Sequence, residues 1–165
     1  MVNFQNNFII QFYNYKLIRH PFFLYCRSFR KRVKRPMADK VQFELEFPVK
    51  ASPNMLYPFL STPSGLSEWF CDDVNSRGEM FTFFWEGSEE SAKLIAKKND
   101  RFIRWRWMEA EEAGEKTYFE FRIEVDELTN DASLIITDFA FPNEIDEAKL
   151  LWNSQINSLL HVIGS

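Results

Sequence analysis

The sequence predicts an α+β domain in two layers: a six-stranded antiparallel curved sheet, two short helices between its first and second strands, and a long C-terminal helix against one sheet face. Three observations carry this. From Arg77 to Phe141, apolar side chains return at every second position between short turn signals, as in consecutive strands joined by hairpins. Ser52-Pro53 and Thr62-Pro63 each place a capping residue before a proline, which reads as two helix starts in tandem. Near the C-terminus, Ile145, Ala148, Trp152, Ile156, Leu159 and Ile163 recur at steps of three and four, giving one apolar stripe along a helix.

Taken in order, Val41, Phe43, Leu45 and Phe47 alternate with Gln42, Glu44 and Glu46, so residues 40–49 form a strand with one wet face. The first short helix runs through Leu56 and Leu60 and contains Pro58, which removes one backbone bond and shortens it. The second runs through Leu66 to Trp69 and Phe70, and a polar loop with Asp72 and Asp73 follows. Phe81, Phe83 and Trp85 share a strand face, as do Ala92, Leu94 and Ala96, then Ile103, Trp105 and Trp107. An acidic loop over 109–116 precedes Phe119, Phe121, Ile123 and Val125, which alternate with Glu120, Arg122 and Glu124. A turn at 129–131 leads to a last strand over 133–141 whose parity is ambiguous, because Leu134, Ile135 and Ile136 are all apolar. Asn143 is the expected cap of the long helix and Gly164 its C-terminal cap.

Charge divides the chain. Residues 1–36 hold eight Lys or Arg and no acid, whereas the remainder has 12 basic residues against 24 acidic ones. The leader, residues 1–36, supports three readings: a targeting segment, a basic arm, or translated upstream sequence with Met37 as the true start. The last is favoured, so this leader is expected to be disordered or no part of the mature protein, with residues 38–165 as the folded domain. The acidic body repels phosphate and argues against nucleic acid as a partner. No apolar run is long enough to span a bilayer. Cys26 and Cys71 form neither a disulfide framework nor a metal-ligand spacing, and a cytoplasmic setting is expected.

The strand, helix, helix, five-strand, long-helix order resembles the helix-grip fold of the START-like or SRPBCC superfamily. Within it, the branch related to the activator of the ninety-kilodalton heat-shock chaperone ATPase is most similar. The residues that carry the likeness are Ser52-Pro53 with Leu56-Tyr57, Thr62-Pro63 through Leu66 to Trp69-Phe70, then Phe81, Phe83, Trp85 and Gly87, and the helix around Trp152. The resemblance covers residues 40–163. It implies an apolar cavity between sheet and long helix that holds a lipid-like or aromatic molecule, and for some members a role as enzyme or chaperone partner.

Function therefore turns on the interior. Trp69, Phe83, Trp85, Trp105, Trp107, Phe121, Trp152 and Ile156 are expected to line the space between sheet and helix, either as a ligand cavity or as a packed core. Binding of a hydrophobic small molecule is the leading reading. The alternative is a protein-interaction or co-chaperone-like module that uses Glu109, Glu111, Glu112 and Glu115 against a basic partner, the interior being core. No catalytic set is legible: His161 falls on the polar helix face, Cys71 has no adjacent base, and no phosphate loop, HExxH, CxxC or GxSxG occurs. No metal or cofactor is expected, and a monomer or weak dimer is. Asp138 interrupts an apolar strand and is expected on the wet face, with a cavity-facing anchor as the other option.

Overall fold

The computed structural model describes residues 39–128 and 132–164. The expectations for the leader, residues 1–36, and for the turn at 129–131 lie outside the described residues. The order is β1 (Val41–Val49), α1 (Pro53–Ser61), α2 (Pro63–Ser67), β2 (Asp73–Arg77), β3 (Met80–Trp85), β4 (Ser88–Lys98), β5 (Phe102–Trp107), α3 (Met108–Glu112), β6 (Phe119–Val125), β7 (Ala132–Ala140) and α4 (Ile145–Ile163). The strands form one antiparallel sheet in the order β1-β7-β6-β5-β4-β3-β2. β1 thus joins the far end of the meander by pairing with β7.

The sheet has seven strands, not the expected six. The extra one is β2, in the stretch expected as a polar loop. Only Val74 of its five residues is buried, and it pairs on one side alone, with β3. An edge strand of this kind needs no alternation of apolar residues, so it leaves no period to read. A short helix, α3, likewise replaces the first part of the acidic loop.

Two smaller expectations are also corrected. Leu94 stands opposite Trp105, but Ala96 stands opposite Arg104. A bulge at this point inserts one residue and turns Ala96 away from the face that Ala92 shares with the rings. α4 is capped by Glu144 rather than Asn143, with no side-chain cap, and Gly164 closes it in the left-handed region at φ 69° as expected.

The helices divide one face of the sheet between them. α1 packs over β5 and β6, α2 against β2, and α4 against β1 and β7. The tandem α1–α2 start is built as the sequence indicates. Thr62 accepts a bond from the Gly65 amide at 3.0 Å while donating to the Pro58 carbonyl at 2.8 Å. α4 buries Ala148, Leu151, Trp152, Gln155, Ile156 and Leu159, a wider stripe than the strict three-and-four step.

Gly65 marks the tightest joint. A methyl group there would stand 2.3 Å from the Pro58 oxygen and 2.6 Å from the Phe59 Cα. Both are backbone atoms that no rotamer change can move. Gly65→Ala is expected to cost roughly 2 kcal/mol or more, as overpacking against rigid structure does, read as a lowered midpoint in denaturant titration with the helix signal retained.

Candidate functional site

The inner face of the sheet, α1, α2 and α4 enclose one continuous group of rings. Phe70, in the turn after α2, is at its centre and lies 5.4–6.3 Å from the rings of Trp69, Phe83, Trp85, Phe119, Phe121 and Trp152. A second focus is the stack of Phe119 between Trp105, at 5.2 Å, and Trp107, at 4.7 Å. Strand parity explains the gathering. Phe81, Phe83 and Trp85, then Ile103, Trp105 and Trp107, then Phe119 and Phe121 occupy every second position and so share one face.

The structure brings the seven sequence-expected rings together, and Ile156 is buried on α4. Trp69, Phe83, Trp85, Trp105, Phe121, Trp152 and Ile156 are buried, whereas Trp107 is half-buried. Trp107 is therefore the ring by which the group reaches solvent, at the end of β5 where α3 begins. Phe70 and Phe119 hold the group together yet stood outside that set. The signal for Phe119 was its place in the β6 alternation. Phe70 was expected with Trp69 at the end of the second short helix, but α2 stops at Ser67 and Phe70 sits in the turn that follows.

Indole N–H groups need acceptors when buried. Trp69 donates to the Phe59 carbonyl at 2.9 Å, Trp85 to the Phe70 carbonyl at 3.4 Å, and Trp152 to Asp138 at 2.8 Å. Trp105 is fully buried and its Nε1 has no acceptor. A buried donor left without a partner costs about 1–3 kcal/mol, which makes each such group stand out in a native fold.

Asp138 is the polar counterpart, and its position corrects the expectation of the wet face. Ile136 pairs with Phe121 and Leu45, so Asp138, two residues on, faces the same interior. Its carboxylate accepts the Trp152 indole N–H at 2.8 Å and the Phe139 amide at 2.7 Å. Desolvation raises its pKa from 3.8 to about 6, against the lowering effect of those two donors and of Lys40. Parity alone misplaced it, because every residue from Leu134 to Ile136 is apolar and either face looked dry.

The opposite sheet face carries ion pairs. Arg104 meets Glu120 at 2.6 Å and lies 4.2 Å over the Tyr118 ring, and Arg122 meets Glu124 at 2.6 Å. This face is less wet than the sequence suggests, since Glu120 and Thr137 are buried beneath the long arginine stems. In the acidic segment, Glu111 binds Arg106 and Glu115 binds Lys40, each at 2.8 Å. Burial pushes the Cys71 thiol up to about 12, and its Sγ contacts the Asp73 carbonyl at 3.3 Å. It is held as the thiol, which is a poor nucleophile.

Two expected outcomes test this geometry. Phe70→Ala removes the central ring and is expected to lose about 3–5 kcal/mol of stability, measured by urea unfolding. For Asp138, the folded state holds its proton more tightly than the unfolded state does. Stability from this group is therefore full below about pH 4 and is lost as pH rises through about 6, by about 3 kcal/mol in all. Between pH 4 and 7.5 the wild type is expected to lose stability relative to Asp138→Asn, in paired melts across that range; the amide, with one acceptor oxygen for the two donors, carries a cost of its own that does not change with pH.

With this geometry in place, comparison with known proteins defines the family. Residues 37–165 match the family model of the START-like superfamily domain. A Bacteroides fragilis protein solved by NMR is 38% identical, with 76% of this chain and 92% of that chain covered and a TM-score of 0.57. The Aha1 dimer from Colwellia psychrerythraea has 21% identity, covers 74% of this chain and 96% of that one, and gives a TM-score of 0.63. A Mesorhizobium loti protein has 14% identity, with 75% and 97% covered and a TM-score of 0.60. No curated protein matches. No helix among the described residues is long and apolar enough to cross a membrane. A sheet wrapped on a C-terminal helix, closed at one side by two short helices and matched by the family model over residues 37–165, makes this chain a member of the START-like superfamily.

Proposed function

We propose that the domain binds a hydrophobic small molecule, aromatic or lipid-like, against the ring group between the sheet and α4. The observation that carries this reading is the unpartnered, fully buried Nε1 of Trp105. Three other indoles of the same interior have acceptors from the chain itself. A ligand oxygen or nitrogen beside Trp105 would supply the missing one. Trp107, stacked on Phe119, is the half-buried ring of the group and the place where such a molecule would first meet it. Trp69, Phe83, Trp85, Phe121, Trp152 and Ile156 would form the apolar wall. A binding task without catalysis fits the thiol held as thiol at Cys71. We place the function in the cytoplasm, in residues 38–165, acting as a monomer or weak dimer.

A second reading, a protein-interaction module in the manner of a co-chaperone, has one observation in its favour. Glu109 and Glu112 are exposed on α3. It is the weaker reading because Glu111 and Glu115 are engaged by Arg106 and Lys40 within the domain, which reduces the free negative charge that a basic partner would meet.

Native mass spectrometry of the full chain after mild purification, followed by solvent extraction, tests the first reading. A bound hydrophobe of a few hundred daltons is expected. Trp105→Phe keeps the stacked ring and removes the N–H. It is expected to weaken that ligand roughly tenfold, the worth of one hydrogen bond of about 1.4 kcal/mol, while leaving the unliganded domain as stable or more so. Unchanged affinity in Trp105→Phe would show that the N–H is merely an orphan of packing.

A further inference from the structure

One row of residues crosses the inner face of four strands. Trp105 on β5 pairs with Phe119 on β6. Phe119 precedes Glu120, which pairs with Thr137, so Phe119 lies beside Asp138 on β7. Asp138 pairs in turn with Phe43 on β1. The row thus reads Trp105, Phe119, Asp138, Phe43, with a donor at one point and a carboxylate two strands away. Neighbouring strands are about 4.8 Å apart, so these two polar points are separated by roughly 10 Å, with an aromatic ring between them.

We infer that the binding layer selects a molecule with a protonated amine at one end, read by Asp138, and a hydrogen-bond acceptor at the other, read by Trp105. The inference rests on the binding reading above and specifies its ligand class. Two features of the row favour a cation over an uncharged donor. The Asp138 carboxylate is bonded to two neutral donors, the Trp152 indole and the Phe139 amide. Each of its oxygens retains acceptor capacity, because an ionised carboxylate offers about four lone-pair sites. The lysine that acts on it electrostatically, Lys40, is paired with Glu115 at 2.8 Å. Asp138, Lys40 and Glu115 together therefore carry one net negative charge.

The surroundings strengthen the attraction. Phe43 and Phe119 flank Asp138 on the neighbouring strands and the Trp152 indole donates to it, and a desolvated ammonium gains from aromatic neighbours as well as from the charge. The same low-polarity setting that makes an isolated carboxylate costly makes its pairing with a cation effective.

A matched set of probes tests this on the full chain: 4-(4-methoxyphenyl)butylamine, the corresponding alcohol and the corresponding butanoic acid, titrated at pH 7.5 by calorimetry. The three share the ring and the ether oxygen and differ at the far end. The amine is expected to bind at least tenfold more tightly than the alcohol, and the acid more weakly than either. Asp138→Asn is expected to abolish the preference for the amine over the alcohol, and an unchanged near-ultraviolet circular dichroism from the buried rings shows that the variant is folded. Trp105→Phe is expected to weaken amine and alcohol by the same factor. Equal binding of amine and alcohol by the wild type would overturn the inference and leave the binding reading standing. Absence of binding by all three would overturn both.

Discussion

Phe70 is where the separate parts of this domain become one body. It belongs to no regular element, yet its ring touches partners from α2's own turn, from β3, from β6 and from α4. Each such ring pair is worth about 0.5–1.5 kcal/mol beyond simple burial. The direction in which Phe70 points is set upstream. Thr62 ties the end of α1 to the start of α2, and Gly65 allows the two helices to close upon each other. A small backbone joint thereby aims a large side chain. The long helix then has a fixed object to pack against, and the curved sheet has a reason to wrap.

An interior made of rings behaves differently from one made of aliphatic chains. Aromatic side chains have few torsions, so they keep their places and meet one another in defined edge-on and stacked arrangements. Polar atoms in such a setting are conspicuous, and two of contrasting kind lie on one row of the sheet. The Trp105 donor has nothing to donate to, while the Asp138 acceptor is doubly bonded and still charged at neutral pH. Either could have been replaced by an apolar side chain of similar size. Their presence on one row of the sheet is what turns a packed layer into a candidate binding surface with two distinguishable ends.

Much of this was legible from residue order. The parity of Phe81, Phe83 and Trp85 and of Trp105, Phe119 and Phe121 fixed which side chains face inward, because strand geometry allows no other outcome. The α1–α2 pair was readable from two proline-preceding caps. What escaped detection had no local cause. β2 is a strand only because β3 offers it a free edge, and its polar residues carry no period. The bulge beyond Leu94 changes parity without a glycine to announce it. The orientation of Asp138 depended on which of two apolar faces of β7 meets α4, a question that only the partner residues Phe121 on β6 and Leu45 on β1 decide. The unpartnered indole N–H of Trp105 is a property of three-dimensional placement and has no sequence signature at all.

The distribution of tryptophan has an optical consequence. The chain has five, and all of them, Trp69, Trp85, Trp105, Trp107 and Trp152, belong to this single group of rings. No indole elsewhere dilutes the signal. At such separations excitation migrates among indoles before it is emitted, so the five behave as one coupled chromophore. Water-borne quenchers meet it through Trp107, the half-buried member. The light this protein emits is thus a readout of its interior, and any molecule that enters the layer changes the colour of the domain that holds it.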